Sequence, residues 1–350
     1  MKKIVIITHG AHGGRGGIAK YVKNIINVLS KNKNQYKINI FSKNKINLQK
    51  KNIYINYSKK FYPFLILSNF FKIITSDLII VTHINLILYL FFLIFNKKKF
   101  VLFSYGLEIW GSKKNFLYRL FIKKIKYFIS MRKITLDIQK KIYKLSNNKY
   151  FLLNNPLDIK HETINNSIKK NIIITVARLD STEKYKGIDE TLEAMSLIKK
   201  INFRYYIIGD GDDKERLIQK AIKLKINKFV FFKGRVNDKI RDKLFSESKI
   251  SSMPGTDITF DTYPYRFSFL EAASHGLHII GSKPNNHELT QAKIYKNFNF
   301  VDAHNRKLIG NTIIKLLNKK NIFCKKLKND FSFKKFEFNL TNIINTILND

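Results

Sequence analysis

Residues 173–195, IITVARLDSTEKYKGIDETLEAM, decide how the chain is read. An apolar, β-branched run ends at Arg178. A polar loop carrying Lys184 and Lys186 follows, and Gly187 then precedes a helical pattern. Strand, loop, glycine and helix in that order make the opening of a βα unit in a parallel sheet. The same grammar recurs on both sides. Apolar runs lie at 3–8, 36–42, 77–82 and 100–104 before it, and at 204–209, 228–234 and 277–282 after it. Between the two sets lie a long helical region and the polar, turn-rich LLNNPLDIKHETINNSIKKN, 152–171, the best candidate for a boundary. The expected fold is α/β, with two Rossmann-like doubly wound parallel-sheet domains, 1–160 and 165–332, facing across a cleft. Ligands of such sheets lie outside the carboxyl ends of the strands.

A chain of 350 residues that is 45% hydrophobic can bury a core of that size. Its formal charge of +40 invites a nucleic-acid reading. Lysine far outnumbers arginine, however, and asparagine and isoleucine are abundant, as an AT-rich coding sequence produces. The basic residues run through the whole chain instead of gathering in a tail or motif. That argues for compositional bias with a mild attraction to anionic surfaces, and against specific nucleic-acid binding. A lone Cys324 excludes an intramolecular disulfide framework and a cysteine-based zinc site. The opening MKKIVIITHG has too short an apolar run for a signal peptide and reads as a first buried strand. Residues 78–95 are long enough to raise a membrane span, but Thr82, His83 and Asn85 interrupt them. A strand followed by a buried helix is the expectation there, in a cytoplasmic protein.

Four loops carry candidate chemistry. THGAHGGRGGIAKYV, 8–22, places Gly13, Gly14, Gly16 and Gly17 between a strand and a helix, where backbone can approach an anion. It fits neither a dinucleotide fingerprint nor a P-loop, and a tight turn without a ligand would look much the same. Arg178 and Lys186 either converge on a diphosphate or lie on a solvated loop. In YYIIGDGDDKERL, 205–217, Asp210 and Asp212 form a D-x-D pair that reads better as a helix-start turn than as a metal site. TYPYRFSFLEAASHG, 262–276, holds one carboxylate, Glu271, ahead of a glycine helix stop. His9, His12 and His83 stand near strand ends, and no metal set is expected among them; His12, beside the glycine loop, is a candidate sugar contact. Lys113 to Phe128 reads as one helix, with Leu117, Leu120, Phe121, Ile125 and Phe128 on its apolar face and lysines around them. Such a helix either faces the core or lies in a membrane interface.

The order of these pieces resembles the group 1 (family 4) retaining glycosyltransferases of GT-B fold. A strand with ARL and KG is followed by IGDGDDKERL, VFFKGRV, SMP, FSFLEAASHG and NNHEL. Upstream, GGIAKYV, FSYGLEIWG (103–111) and NNPLD (154–158) look like that family's glycine loop, His-Gly-x-Glu stretch and interdomain N-P-x-D. The resemblance spans nearly the whole chain, and it implies that the final helix, about 333–350, crosses back onto the N-terminal domain. It also implies that Arg178 and Lys186 hold the donor diphosphate and stabilise the departing nucleotide, so that neither metal nor cofactor is needed. By the same resemblance Val236 meets the nucleobase, and Glu271 accepts from the ribose hydroxyls as the second acid of E-x7-E. Phe269 and Leu270 would offer main-chain N–H groups to phosphate. Gly16 and Gly17 would approach the donor from the facing domain, and Glu108 keeps its place after Gly106.

Three positions depart from the pattern. The first acid of E-x7-E is Tyr263, the small residue near the donor sugar is Arg266, and the usual histidine is Tyr105. A register shift would bring Asp261 in as the missing acid. The implied activity is transfer of a sugar from a UDP- or GDP-linked donor to a hydroxyl of a glycan or lipid-linked acceptor. Surface polysaccharide or lipopolysaccharide synthesis is the implied setting, and the basic surface fits an anionic membrane face. The three departures motivate a second reading, a GT-B protein that binds nucleotide or glycan without turnover.

Overall fold

The computed structural model describes residues 1–11, 17–93, 99–110, 116–157, 169–256, 266–284, 289–290 and 292–350. His12, Gly16, Asp261 and Tyr263 therefore lie outside the described residues. The chain divides into two compact units, Met1–Pro156 with Phe333–Asp350, and Leu157–Ser332.

The first unit is a seven-stranded sheet of β1 (Lys2–Thr8), β2 (Tyr36–Ser42), β3 (Ile53–Tyr57), β4 (Leu78–Val81), β5 (Phe100–Ser104), β6 (Tyr127–Ser130) and β7 (Lys149–Leu152). The order is β3-β2-β1-β4-β5-β6-β7, with every pairing parallel. Ile4 sits between Ile38 and Leu78, and Ile4 to Ile7 are fully buried. Covering on both faces explains why these strands read as unbroken apolar runs. One face packs on helices Tyr62–Ser68, Phe70–Ile74 and Phe116–Lys124 and on the 3-10 helix Ile84–Leu93, through Val5, Ile66, Ile87 and Ile122. Within the same unit, helix Gly17–Lys31 meets the C-terminal helix Phe333–Asn349, with Tyr21 edge-on to Phe336 at 5.7 Å. The end of that helix is tied down as Tyr127 Oη donates to Asp350 and Lys99 Nζ donates to the Leu348 carbonyl at 2.7 Å.

The second unit holds β8 (Ile172–Val176), β9 (Arg204–Ile208), β10 (Val230–Gly234), β11 (Ile250–Met253), β12 (His278–Ser282) and β13 (Phe298–Val301). Their order is β10-β9-β8-β11-β12-β13, again all parallel. Each sheet thus reverses direction of growth once, between β1 and β4 and between β8 and β11. The carboxyl ends of those four strands are the ligand-binding places of a doubly wound sheet.

Eight strands fall where the apolar runs stand, and five do not. β11, ISSM, carries two serines that break the apolar signal, yet Ser251 and Ser252 are buried and Thr191 Oγ1 lies 3.3 Å from Ser252 Oγ. The single helix expected over 113–128 is corrected. The helix ends at Lys124 and Phe128 belongs to β6, paired with β5 and β7. Aromatic and β-branched YFIS suits a buried central strand, and that pairing overrides its i, i+4 spacing. The run after β4 is a 3-10 helix that buries Ile84, Leu86, Ile87, Leu90 and Leu93. Among the described residues no helix is long and apolar enough to cross a membrane.

Candidate functional site

The loop after β8 brings two of the expected residues together. Asp180 opens a 3-10 helix, Ser181–Lys186, by accepting from the Thr182 N–H at 3.0 Å. That tight winding turns Glu183 toward both cations. Its Oε1 accepts from Arg178 and its Oε2 from Lys186. Lys186 Nζ is also 3.3 Å from the Arg178 carbonyl oxygen. The Glu183 and Lys186 side chains are largely enclosed, whereas Arg178 is 61% exposed. Two cations of opposite mobility, one anchored and one able to swing, therefore share a single anionic group. Such a pair can receive a second, larger anion.

Glycines bring the neighbouring chain close to this loop. Gly187 has φ of 78°, and a Cβ there would overlap the Pro254 carbonyl. At Gly211 a Cβ would overlap the Leu179 carbonyl, so the turn after β9 can lie directly against the loop after β8. Asp212 fixes that approach by accepting from the Ser181 N–H at 2.8 Å and its hydroxyl at 2.6 Å. These bonds hold its pKa below the usual carboxylate range. Asp210 lies 3.7 Å from Lys214, and Asp213 pairs with Arg216 at 2.6 Å. The acids of this turn thus have protein partners. Among the described residues no group of three or more His, Cys, Asp or Glu could hold a metal ion.

Helix Phe267–Ser274, ahead of β12, carries the next three candidates. Phe269 and Leu270 are buried, and both their N–H groups donate to the Arg266 carbonyl at 3.0 Å. These bonds close the first helical turn. The Arg266 guanidinium stacks on the Phe269 ring, 4.6 Å from its centroid. Glu271 is 14% exposed, and Arg241 Nε approaches its Oε2 to 3.4 Å. Arg241 projects from helix Asp238–Glu247, and its Nη1 also donates to Asp238 at 2.7 Å. Val236 is half-buried in the link from β10 to that helix, just ahead of Asn237, whose side chain caps it by accepting from the Ile240 N–H at 2.9 Å.

In the first unit, Gly17 begins helix Gly17–Lys31. Tyr105 and Glu108 follow β5. The Glu108 carboxylate accepts from the Tyr105 N–H at 2.5 Å and from the Gly106 N–H at 3.1 Å, so it organises the turn. The Tyr105 ring is buried, its hydroxyl has no hydrogen-bond partner among the described residues, and burial followed by the nearby Glu108 charge pushes its pKa well up. Sequence reading scattered the histidines, but the sheet gathers two of them beside that tyrosine. His9 follows β1 and His83 follows β4, at the switch point, with ring centroids 5.2 Å apart; His83 stacks on Tyr105 at 6.4 Å. Burial, then the His83 and Lys43 charges, lower the His9 pKa to about 4, so its imidazole is neutral. The adjacency of β1, β4 and β5 was the available signal, since a parallel sheet aligns its carboxyl ends.

Comparison with known proteins bears on this arrangement. The model of the glycosyl transferases group 1 family matches residues 158–332, which include Arg178, Lys186, Val236 and Glu271. No curated protein sequence matches the chain. Among solved structures, HepE of Anabaena in complex with UDP and glucose superposes with a TM-score of 0.74 at 11% identity, over 99% of this chain and 100% of that one. The sucrose-phosphate synthase of Thermosynechococcus elongatus gives 0.68 at 14%, over 99% of both chains. WaaG, a glycosyltransferase involved in lipopolysaccharide biosynthesis, gives 0.63 at 14%, over 98% and 95%. At these identities the likeness shows the fold, GT-B. With half its length matched by the family model, the chain belongs to the glycosyl transferases group 1 family.

Proposed function

We propose that the protein transfers a sugar, with retention, from a nucleoside-diphosphate donor to a hydroxyl of a glycan or lipid-linked acceptor. The observation that carries this reading is the convergence of Arg178 and Lys186 on Glu183 inside the family-matched unit. Charge builds on the leaving phosphate as the glycosidic bond breaks, and the two cations would stabilise it without a metal ion. Glu271, assigned to the ribose side, would accept from a vicinal diol through its carboxylate. In this reading the start of helix Phe267–Ser274, where Phe269 and Leu270 stand, meets the donor phosphate. UDP and GDP are the candidate nucleotides; UDP is present in the HepE complex. The setting is surface polysaccharide or lipopolysaccharide synthesis, in line with the WaaG likeness, at the cytoplasmic face of a membrane.

A thermal-shift and turnover screen across UDP- and GDP-sugars tests this. We expect a nucleotide-induced rise in Tm that Arg178→Ala and Glu271→Ala abolish. If both variants keep the shift, the site assignment is wrong. A second reading, binding without turnover, is favoured by Tyr105: a phenol with a raised pKa does no acid–base work at neutral pH. Nucleotide binding with neither transfer nor slow donor hydrolysis, for any donor tried, would establish that second reading.

A further inference from the structure

The helical layer that covers one face of the first sheet is apolar on its outer side as well. Helix Tyr62–Ser68 buries Tyr62 and Ile66, yet its outer side presents Phe64, 70% exposed, and Leu67. Phe61 just before it is also exposed, and Phe71 on the next helix is 77% exposed. Surface helices normally turn polar residues outward. Ring contacts connect two of the exposed phenylalanines: Phe71 contacts Phe70 at 5.5 Å, Phe70 contacts Phe92 at 5.0 Å, and Phe92 contacts the exposed Phe91 at 5.8 Å. Phe116, on the helix that packs beside the 3-10 element, adds another exposed ring. Large apolar side chains gathered outward on one helical layer mark a docking surface.

Charge identifies what docks. Residues 58–76, 84–93 and 116–124, which build the layer, contain no aspartate or glutamate. Lys59, Lys60, Lys72, Lys123 and Lys124 are exposed among them. The asymmetry extends to the unit: the first holds 32 lysines and arginines against five acids, the second 33 against 20. The basic excess of the chain thus comes from acids missing in one unit, not from bases added to it. A second copy would bring the same charge against this face. A bilayer with anionic headgroups supplies both the apolar depth for the rings and the phosphates for the lysines.

We propose that this face docks the protein onto an anionic phospholipid bilayer, with Phe61, Phe64, Leu67 and Phe71 entering the boundary between headgroups and acyl chains. The inference rests on the proposed function only in taking the acceptor to be carried at a membrane, and its test needs no turnover. The full chain is sedimented with vesicles of phosphatidylcholine alone and with vesicles that also contain phosphatidylglycerol. Binding is expected only to the anionic vesicles, and the F64S/F71S double variant should partition at least about ten-fold more weakly. Serine at exposed positions opens no cavity, and an unchanged Tm checks that the variant is folded. The K59Q/K60Q/K72Q variant should also bind more weakly. Equal partitioning of F64S/F71S and wild type would overturn the proposal. So would binding that high salt removes completely and the phenylalanine pair does not affect. Self-association that F64S/F71S abolishes would instead assign the face to a second copy. A wild type that binds anionic vesicles through these rings, but shows no Tm shift with UDP or GDP, keeps the docking face and removes the proposed transfer.

Discussion

Arg241 Nε stands 3.4 Å from the Glu271 carboxylate, although the two belong to different helices. In the proposed site a carboxylate that accepts from a diol needs to be held, and a neighbouring guanidinium helps to hold it. Glu271→Gln keeps the shape and loses the charge. We expect it to weaken UDP or GDP binding by about 1.5–3 kcal/mol, since the bonds lost are to a charged group. Arg241→Met should weaken binding less, and the double variant should cost less than the sum, because one side chain acts through the other. Calorimetric titration of the four proteins measures this; additive losses would separate Arg241 from the site.

Glu183 holds the same relation to the diphosphate cations, with a different sign. In the proposed site it would compete with an incoming diphosphate for Arg178 and Lys186, with which it now pairs. Glu183→Gln removes a negative charge from that spot and is expected to tighten nucleoside-diphosphate binding about three-fold, whereas Lys186→Ala should weaken it more than ten-fold. The nucleoside without phosphates is the control. Its affinity should not respond to either change.

The residues that were legible in the sequence share a cause. Arg178, Lys186 and Glu271 stand at fixed offsets from strand ends and helix starts, and chain order alone places those. The strand grammar gave both sheets for the same reason. What stayed hidden depends on contacts across elements. Glu183 reaches its two partners only because residues 181–186 wind as a 3-10 helix around non-helical Glu183 itself. Arg241 meets Glu271 through the packing of two helices separated by β11. His9, His83 and Tyr105 come together because β1, β4 and β5 are neighbours in space. β11 escaped notice because its buried serines carry no apolar signal, the Ser252 hydroxyl meeting Thr191 on helix Ile188–Leu197.

Two glycines with left-handed backbones allow the close approach of the loops to be measured. Gly187 and Gly234 have φ of 78° and 63°. A Cβ at Gly187 would overlap the Pro254 carbonyl, while at Gly234 nothing lies within 4 Å. Gly234→Ala should therefore cost only the backbone term, about 1 kcal/mol. Gly187→Ala adds a steric clash against main chain and should cost about 3 kcal/mol in total. Urea midpoints of the two variants decide this. Equal losses would mean that Pro254 yields freely, and that Gly187 does not set the distance between the loop and β11.

An ion-pair network ties three helices of the second unit together behind the diphosphate loop, and its stability should depend on pH in a defined direction. Asp189 accepts two bonds from Arg216, at 2.8 and 2.7 Å, and one from Lys220 at 2.6 Å. Arg306 extends the network to Glu193 at 2.6 Å. Burial alone would raise the Asp189 pKa, but its bonds to Arg216 and Lys220 outweigh that and hold it down at about 2. Its carboxyl is thus a stronger acid folded than unfolded. The unfolded chain takes up the proton first as pH falls, so the stabilisation is complete above about pH 4 and disappears as pH approaches about 2. The side chain is 16% exposed, so solvent screens the pair only weakly. Asp189→Asn should cost about 2 kcal/mol at neutral pH, with Arg216 retaining Asp213 as a partner. The gap between wild type and variant should then close as unfolding is followed from pH 5 towards pH 2. A gap that stays constant over that range would mean that Asp189 contributes through packing and neutral hydrogen bonds, not through its charge.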